Sequence, residues 1–120
     1  MNPNSPLSGS SEGALAGLRV IDLTGVVLGP YATQILGDYG ADVIKIEPPG
    51  GDIMRHAGPM KHEGMGHIFI NANRNKRSVV LDLRQDAQRA QLLALCKTAD
   101  VLTYNIRPAS MARLGLSFDT

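Results

Sequence analysis

Two short aliphatic runs, Leu18 to Leu23 (LRVIDL) and Asp42 to Glu47 (DVIKIE), stand on either side of a glycine-broken turn and a stretch of helical spacing. This arrangement limits the fold more than any other feature of the chain. Leu18 to Leu23 is compatible with a buried strand or a helix fragment, and its length favours the strand. Thr24 to Gly29 interrupts the pattern with two glycines. Pro30 then suits the first turn of a helix, where its missing N–H costs nothing. Tyr31, Ala32, Ile35, Leu36 and Tyr39 recur at helical spacing and predict an apolar helix face, with Gly40 as C-terminal cap. Strand, turn, helix and strand make a βαβ unit, which is parallel and right-handed in nearly all cases.

Residues 48–66 are rich in glycine and proline and read as a long loop, uncommon unless it is functional or mobile. His67 to Asn73 is ambiguous between a short helix and a strand. Ser78 to Leu83 (SVVLDL) predicts a third strand. Asp86 is placed to cap a helix running to about Lys97, with Ala87, Ala90, Leu93 and Ala94 lining one face. Asp100 to Tyr104 predicts a fourth strand, and Ala109 to Leu114 a short helix stopped by Gly115. Ser117 reads as the cap of a further helix where the chain stops, which suggests part of something longer. The order predicts an α/β fold: an open, mostly parallel Rossmann-like sheet with flanking helices. Ligands on such sheets bind beyond the carboxyl ends of the strands, which singles out 24–30, 47–52, 84–86 and 105–113.

Composition narrows the classes. Apolar residues make up 43% and charged residues 19%, a globular balance. Twelve Lys and Arg against eleven Asp and Glu leave a net charge of +1, which disfavours a dedicated nucleic-acid binder. The single Cys96 rules out an internal disulfide framework and fits a reducing compartment, so a cytoplasmic location is expected. No apolar run nears the roughly 20 residues of a membrane span. Aromatics are 4% with no Trp, so the core must be aliphatic. Residues 1–14, mostly Ser, Pro, Gly and Asn, are expected to be a disordered leader without secretory character.

The segments after the strands offer anion chemistry. Backbone N–H groups around Gly25 and Gly29, with the following helix N-terminus, can receive an anionic group. The dinucleotide signature wants G-x-G-x-x-G, and this turn is G-x-x-x-G, although Glu47 falls about where a ribose-binding acid would sit. The plain alternative is a tight turn that needs small residues. Arg74, Lys76 and Arg77 could serve a phosphate-rich ligand or form a solvated charge run. Asn105, Arg107 and Arg113 suit phosphates or a planar base, or an ordinary loop. His56, His62 and His67 lack the spacing and partners of a zinc site, so no metal is expected. Cys96 reads as a core residue. Asp22 and Asp82 lie within strands and Asp100 opens one, and no nucleophile–base pair emerges.

Together these motifs resemble the class III CoA-transferase family, also called CaiB/BaiF. The resemblance is carried by LAGLRVIDLTGVVLGPYATQILGDYGADVIKIEPPGGD at 15–52, NRNKRSVVLDL at 73–83 and ADVLTYNIRPASMARLGLS at 99–117. It implies that 15–120 form the N-terminal portion of a Rossmann-like CoA-binding domain, in an enzyme that moves coenzyme A between an acyl-CoA and a carboxylic acid. It also implies an interlocked homodimer at full length. Catalysis would run through acyl-aspartyl and aspartyl-CoA thioester intermediates, with the nucleophilic Asp beyond this chain. No catalytic residue is therefore expected here, and the segment alone is expected to be inactive. The alternatives are an α-methylacyl-CoA racemase of the same family, or a non-catalytic CoA- or nucleotide-binding module.

Carried residue by residue, the resemblance places Val26, Val27 and Leu28 near the thioester and pantetheine arm. Leu81 and Arg84 fall near the adenine and its phosphates, Asn105 and Ile106 near the nucleotide end, and Arg113 on a phosphate. Three positions depart from relatives. Gly25 stands where many carry a larger polar residue, Val27 where the formyl-CoA transferase subgroup has Gln, and Pro48 where some place an Arg. The second speaks against oxalate or formate as the acyl partner.

Overall fold

A computed structural model of the chain describes residues 13–120. The leader expected over 1–14 therefore lies outside the described residues, except for Gly13 and Ala14, which sit in a turn. The elements are β1 (Arg19–Asp22), α1 (Leu28–Asp38), β2 (Asp42–Glu47), a 3₁₀ turn (Ile53–His56), α2 (His67–Ala72), β3 (Lys76–Val80), α3 (Asp86–Cys96), β4 (Val101–Thr103) and α4 (Pro108–Arg113). The four strands form one parallel sheet in the order β3-β2-β1-β4. This is the α/β sheet that the βαβ pattern predicts.

Strand register sorts the side chains onto two unlike faces. Ile21 pairs with Ile44, and Ile46 follows two residues on, on the same face. With Leu23, Leu81, Leu92, Met111 and Leu116 they make an aliphatic core beneath α3 and α4. The opposite face starts apolar, with Val20 against Val43. One step along the strands it becomes ionic, because Asp22 pairs with Lys45 and Lys45 with Ser78. Lys76 and Glu47 belong to the same face.

The ionic face reverses the expected polarity of α1. Its buried residues are Pro30, Thr33, Gln34 and Gly37. Tyr31 is 53% exposed and Tyr39 57%, with Ile35 also on the open side, while Leu36 packs inward on Val20, Ala41 and Val43 as expected. A helix laid on charged groups must offer them hydrogen-bond partners, so the polar and small side chains turn inward. α3 differs in the same way. Ala87, Ala90, Leu93 and Ala94 are exposed, while Leu92 is buried and Leu95 and Cys96 pack on the aliphatic core.

Other boundaries differ by small steps. β3 spans Lys76–Val80 rather than 78–83, although the Leu81 N–H still donates to the Glu47 carbonyl at 2.9 Å. Asp86 is the first helical residue of α3, not its cap, and pairs with Arg89 one turn on. His67 to Ala72 is helical. The 48–66 loop contains the 3₁₀ turn, capped by Asp52, whose side chain accepts from the Met54 N–H at 2.9 Å. Ser117 to Thr120 ends in a turn rather than a helix. Gly40 does follow α1 with φ 103°, the conformation a helix stop of this kind requires.

Candidate functional site

The site grows from the end of β1. Asp22 is fully buried and its two carboxylate oxygens are heavily used. One accepts from the Thr24 N–H (2.8 Å) and the Thr24 hydroxyl; the other accepts from Thr33 Oγ1 (2.6 Å) and Lys76 Nζ (2.9 Å). Burial alone would push this carboxyl up. The Thr24 and Thr33 hydrogen bonds and the Lys76 ammonium together outweigh burial and hold it below the ordinary carboxylate range. Lys76 itself is pulled below its usual value by burial, partly offset by Asp22.

Two further acid–base pairs continue this network along the sheet. Lys45 Nζ donates to the Thr24 carbonyl at 2.9 Å and lies 2.9 Å from Asp52 Oδ2. That carboxylate oxygen has no donor in hydrogen-bond geometry, so the contact is an ion pair without a directed bond. Glu47 is saturated: Oε1 accepts from the Asp52 N–H and Arg55 Nε, and Oε2 from Arg55 Nη2 and Ser78 Oγ. Burial raises its carboxyl, but these donors outweigh burial and bring it down to about 2. With all four acceptor positions taken, Glu47 is not free to hold a ribose, and the dinucleotide role suggested by its spacing falls. The Arg55 guanidinium also lies 3.8 Å over the Phe69 ring.

Above this network lies the glycine turn. Gly29 has no room for a side chain, since an added Cβ would fall 2.4 Å from Thr24 Cβ. Gly29→Ala is expected to cost about 1–3 kcal/mol by overpacking, read as a lower urea midpoint at unchanged slope. Val26 holds φ 71°, a true outlier for a β-branched residue. Val26, Val27 and Leu28 all present their side chains outward, Leu28 at 83% exposure. Asn105, after β4, clamps the turn: its side chain accepts from the Gly25 N–H at 3.0 Å and donates to the Gly25 carbonyl at 2.9 Å. Gly25 itself has open space where a side chain would go.

A cleft of about 450 Å³ opens on the other face at the carboxyl ends of the strands. Leu81, Arg84 and Ile106 line it together with Leu23, Ile46, Pro48 and Pro49. Three of the expected site residues thus meet in one cavity, and Asn105 joins the turn bearing Val26 to Leu28. Arg113 stands outside the lining, exposed in the last turn of α4 with its Nη2 donating to Ser110 Oγ at 3.0 Å. Arg84 is held by Asp82 (Nε–Oδ1 2.8 Å), and this guanidinium brings the Asp82 carboxyl down to about 2.

In the cation run at 74–77 the two arginines are solvent-exposed, at 63% and 64%, and only the Lys76 side chain is buried. Arg74 pairs with Asp38, Lys76 with Asp22, and Arg77 with Asp42. Among the described residues, no three His, Cys, Asp or Glu side chains converge as metal ligands, and no helix is long and apolar enough to cross a membrane. The sequence reading missed Lys45, and took Lys76 for part of a surface cation run rather than the buried partner of Asp22. For Lys45 a signal is present, a lysine enclosed between Ile44 and Ile46 in a strand; Lys76 lies in the polar stretch Asn73 to Ser78 and carries no such mark.

A parallel sheet with a glycine turn and a cleft beyond its strand ends is an α/β domain with the arrangement at which ligands bind to open sheets of this kind. Residues 15–120 match CoA-transferase family III, and the chain belongs to that family. An acyl-CoA transferase of Fusarium pseudograminearum is 46% identical over 119 residues, covering 92% of this chain and 26% of its own length. A succinyl-CoA:mesaconate CoA-transferase of Haloarcula hispanica is 44% identical over 112 residues (90% and 28%). An acetyl-CoA:oxalate CoA-transferase of Acetobacter aceti is 47% identical over 109 residues (90% and 28%). A crystal structure of a CaiB/BaiF family protein from Brucella suis superposes with a TM-score of 0.83 at 37% identity, covering 89% of this chain and 29% of that one. The chain thus spans about a quarter of the length of the curated relatives it matches.

Proposed function

We propose that the chain is the coenzyme A-binding segment of an acyl-CoA:carboxylate CoA-transferase. The carrying observation is the pairing of a family match over 15–120 with a cleft and an outward-facing turn at the carboxyl end of one parallel sheet. In this reading the nucleotide end of CoA lies against Leu81, Arg84 and Ile106. The pantetheine arm and thioester run toward Val26, Val27 and Leu28. Arg113 meets a phosphate. Arg84 would exchange Asp82 for phosphate, a stronger and doubly charged acceptor.

The reaction proposed is that of the family. An aspartate carboxylate attacks the thioester carbonyl, the C–S bond breaks, and CoA leaves as a thiolate. The mixed anhydride keeps the acyl group activated, and the thiolate then attacks the aspartyl carbonyl to give an aspartyl thioester and a free carboxylate. Six of the chain's eight aspartates are committed to counter-charges, and of the other two Asp100 accepts the Arg19 N–H, which supports placing that nucleophile elsewhere in the polypeptide. Asp22, Asp38, Asp42, Asp52, Asp82 and Asp86 are each in an ion pair. The acid acceptor is not fixed by similarity, since relatives named for mesaconate and for oxalate match almost equally well. An interlocked homodimer and a cytoplasmic location belong to the same proposal. The exposed Leu28, Tyr31 and Ile35 on α1, with Tyr39 just after it, favour a covering partner.

Arg113→Ala is expected to weaken CoA binding by about 1–3 kcal/mol, the range for a charge-assisted hydrogen bond, measured by calorimetry. Unchanged affinity removes Arg113 from the site. A non-catalytic binding module is the second reading, favoured by the ion pairing of six of the eight aspartates. Intact mass from the native source separates the two: several times 12.8 kDa supports the enzyme, and 12.8 kDa supports the module.

A further inference from the structure

The glycine turn is tied at both ends to neighbouring strands by lysines that the coenzyme reading does not use. Lys45, on β2, donates to the Thr24 carbonyl, where the turn begins. Lys76, on β3, donates to the Pro30 carbonyl at 2.8 Å, where the turn passes into α1. Both side chains are almost wholly buried, at 2% and 1% exposure. Lys76 spends its remaining two N–H groups on Asp22 and Asn73, at 2.9 Å each, which leaves none for a ligand. Between the tied ends lies Val26 in a left-handed conformation that a β-branched residue adopts only when its surroundings impose it.

A buried ion pair is a costly way to stabilise a fold, since an apolar pair of similar size often does as well. Two such pairs at the two ends of one exposed, strained loop fix its geometry in a way that aliphatic packing would not. We propose that Lys45 and Lys76 are positioning residues of the 24–30 turn, holding Val26, Val27 and Leu28 in the shape that receives the pantetheine arm and thioester. This rests on the coenzyme A reading. Neither lysine touches the ligand; each acts through a backbone carbonyl of the turn.

Two paired variants test it in the full-length protein: Asp22→Asn with Lys76→Met, and Lys45→Met with Asp52→Asn. Each removes both charges together and leaves no uncompensated ion. The probes are coenzyme A and its nucleotide half alone, the adenosine bisphosphate without a pantetheine arm. Each variant is expected to lose about tenfold or more in affinity for coenzyme A while binding the nucleotide half within about twofold of the parent, since only contacts at the turn are disturbed. Equal losses for both probes overturn the proposal, because they report general loosening of the domain. Unchanged coenzyme A affinity overturns it too and leaves the coenzyme reading standing. An unsubstituted protein that binds neither probe removes the coenzyme reading, and the positioning role with it.

Discussion

Asp22→Ala is expected to destabilise the protein by about 3–5 kcal/mol, the range for stranding one partner of a buried ion pair. The substitution leaves the Lys76 ammonium without its counter-charge, at 1% exposure. It also orphans the Thr24 N–H and hydroxyl and one bond of the Thr33 hydroxyl. Thr33 retains the Gly29 and Pro30 carbonyls, so its share of the loss is small. Set against a domain stability of about 5–15 kcal/mol, this change alone brings the chain close to unfolding. Urea denaturation measures it. In the cycle built from Asp22→Asn, Lys76→Met and their double, the double should recover much of the loss, with a coupling of at least about 1 kcal/mol. A single-variant loss below about 1 kcal/mol with an additive double would show that the buried pair contributes little.

Acid is expected to remove a second large contribution, through Glu47. Its folded carboxyl titrates at about 2 against an ordinary value of 4.5. Such a depressed carboxyl stabilises the fold above about pH 4.5, and that share is lost as pH falls toward 2. The difference amounts to about 3 kcal/mol. Asp22, Asp38 and Asp42 are also held low, so their losses have the same sign. Comparing urea midpoints of the parent and Glu47→Gln from pH 6 to pH 2 isolates Glu47, and the variant should show the flatter profile. Parallel profiles would mean that the Arg55 and Ser78 bonds do not bias its titration.

The strand and helix order was legible because the chain alternates aliphatic runs with turn chemistry, as in LRVIDL-TGVVLGP and DVIKIE-PPGG. Which face each helix buries was not. Most of the apolar stripe of α1 points outward, Leu36 excepted, because its neighbours on the sheet include Asp22, Lys45 and Lys76, and helical periodicity carries no information about the surface opposite. The same limit applies to α3, where Leu92 alone among the helix residues is fully enclosed. The pairing of Asp22 with Lys76 across 54 residues follows from strand register, which composition and spacing do not encode. The cleft residues were reached through resemblance: Leu81 and Ile106 are ordinary aliphatic residues, and only their placement at strand ends distinguishes them.

The division of the sheet into an aliphatic face and an ionic half-face also sets how the domain responds to temperature. Hydration of charged groups becomes less favourable on warming, so the cost of keeping Asp22, Lys45, Glu47, Asp52 and Lys76 away from water shrinks as temperature rises. The grip of the Ile21, Ile44 and Ile46 cluster instead weakens on cooling. The floor beneath the glycine turn is therefore relatively firmest in the warm range. On chilling, the side of the sheet that carries α3 and α4 is the one to loosen.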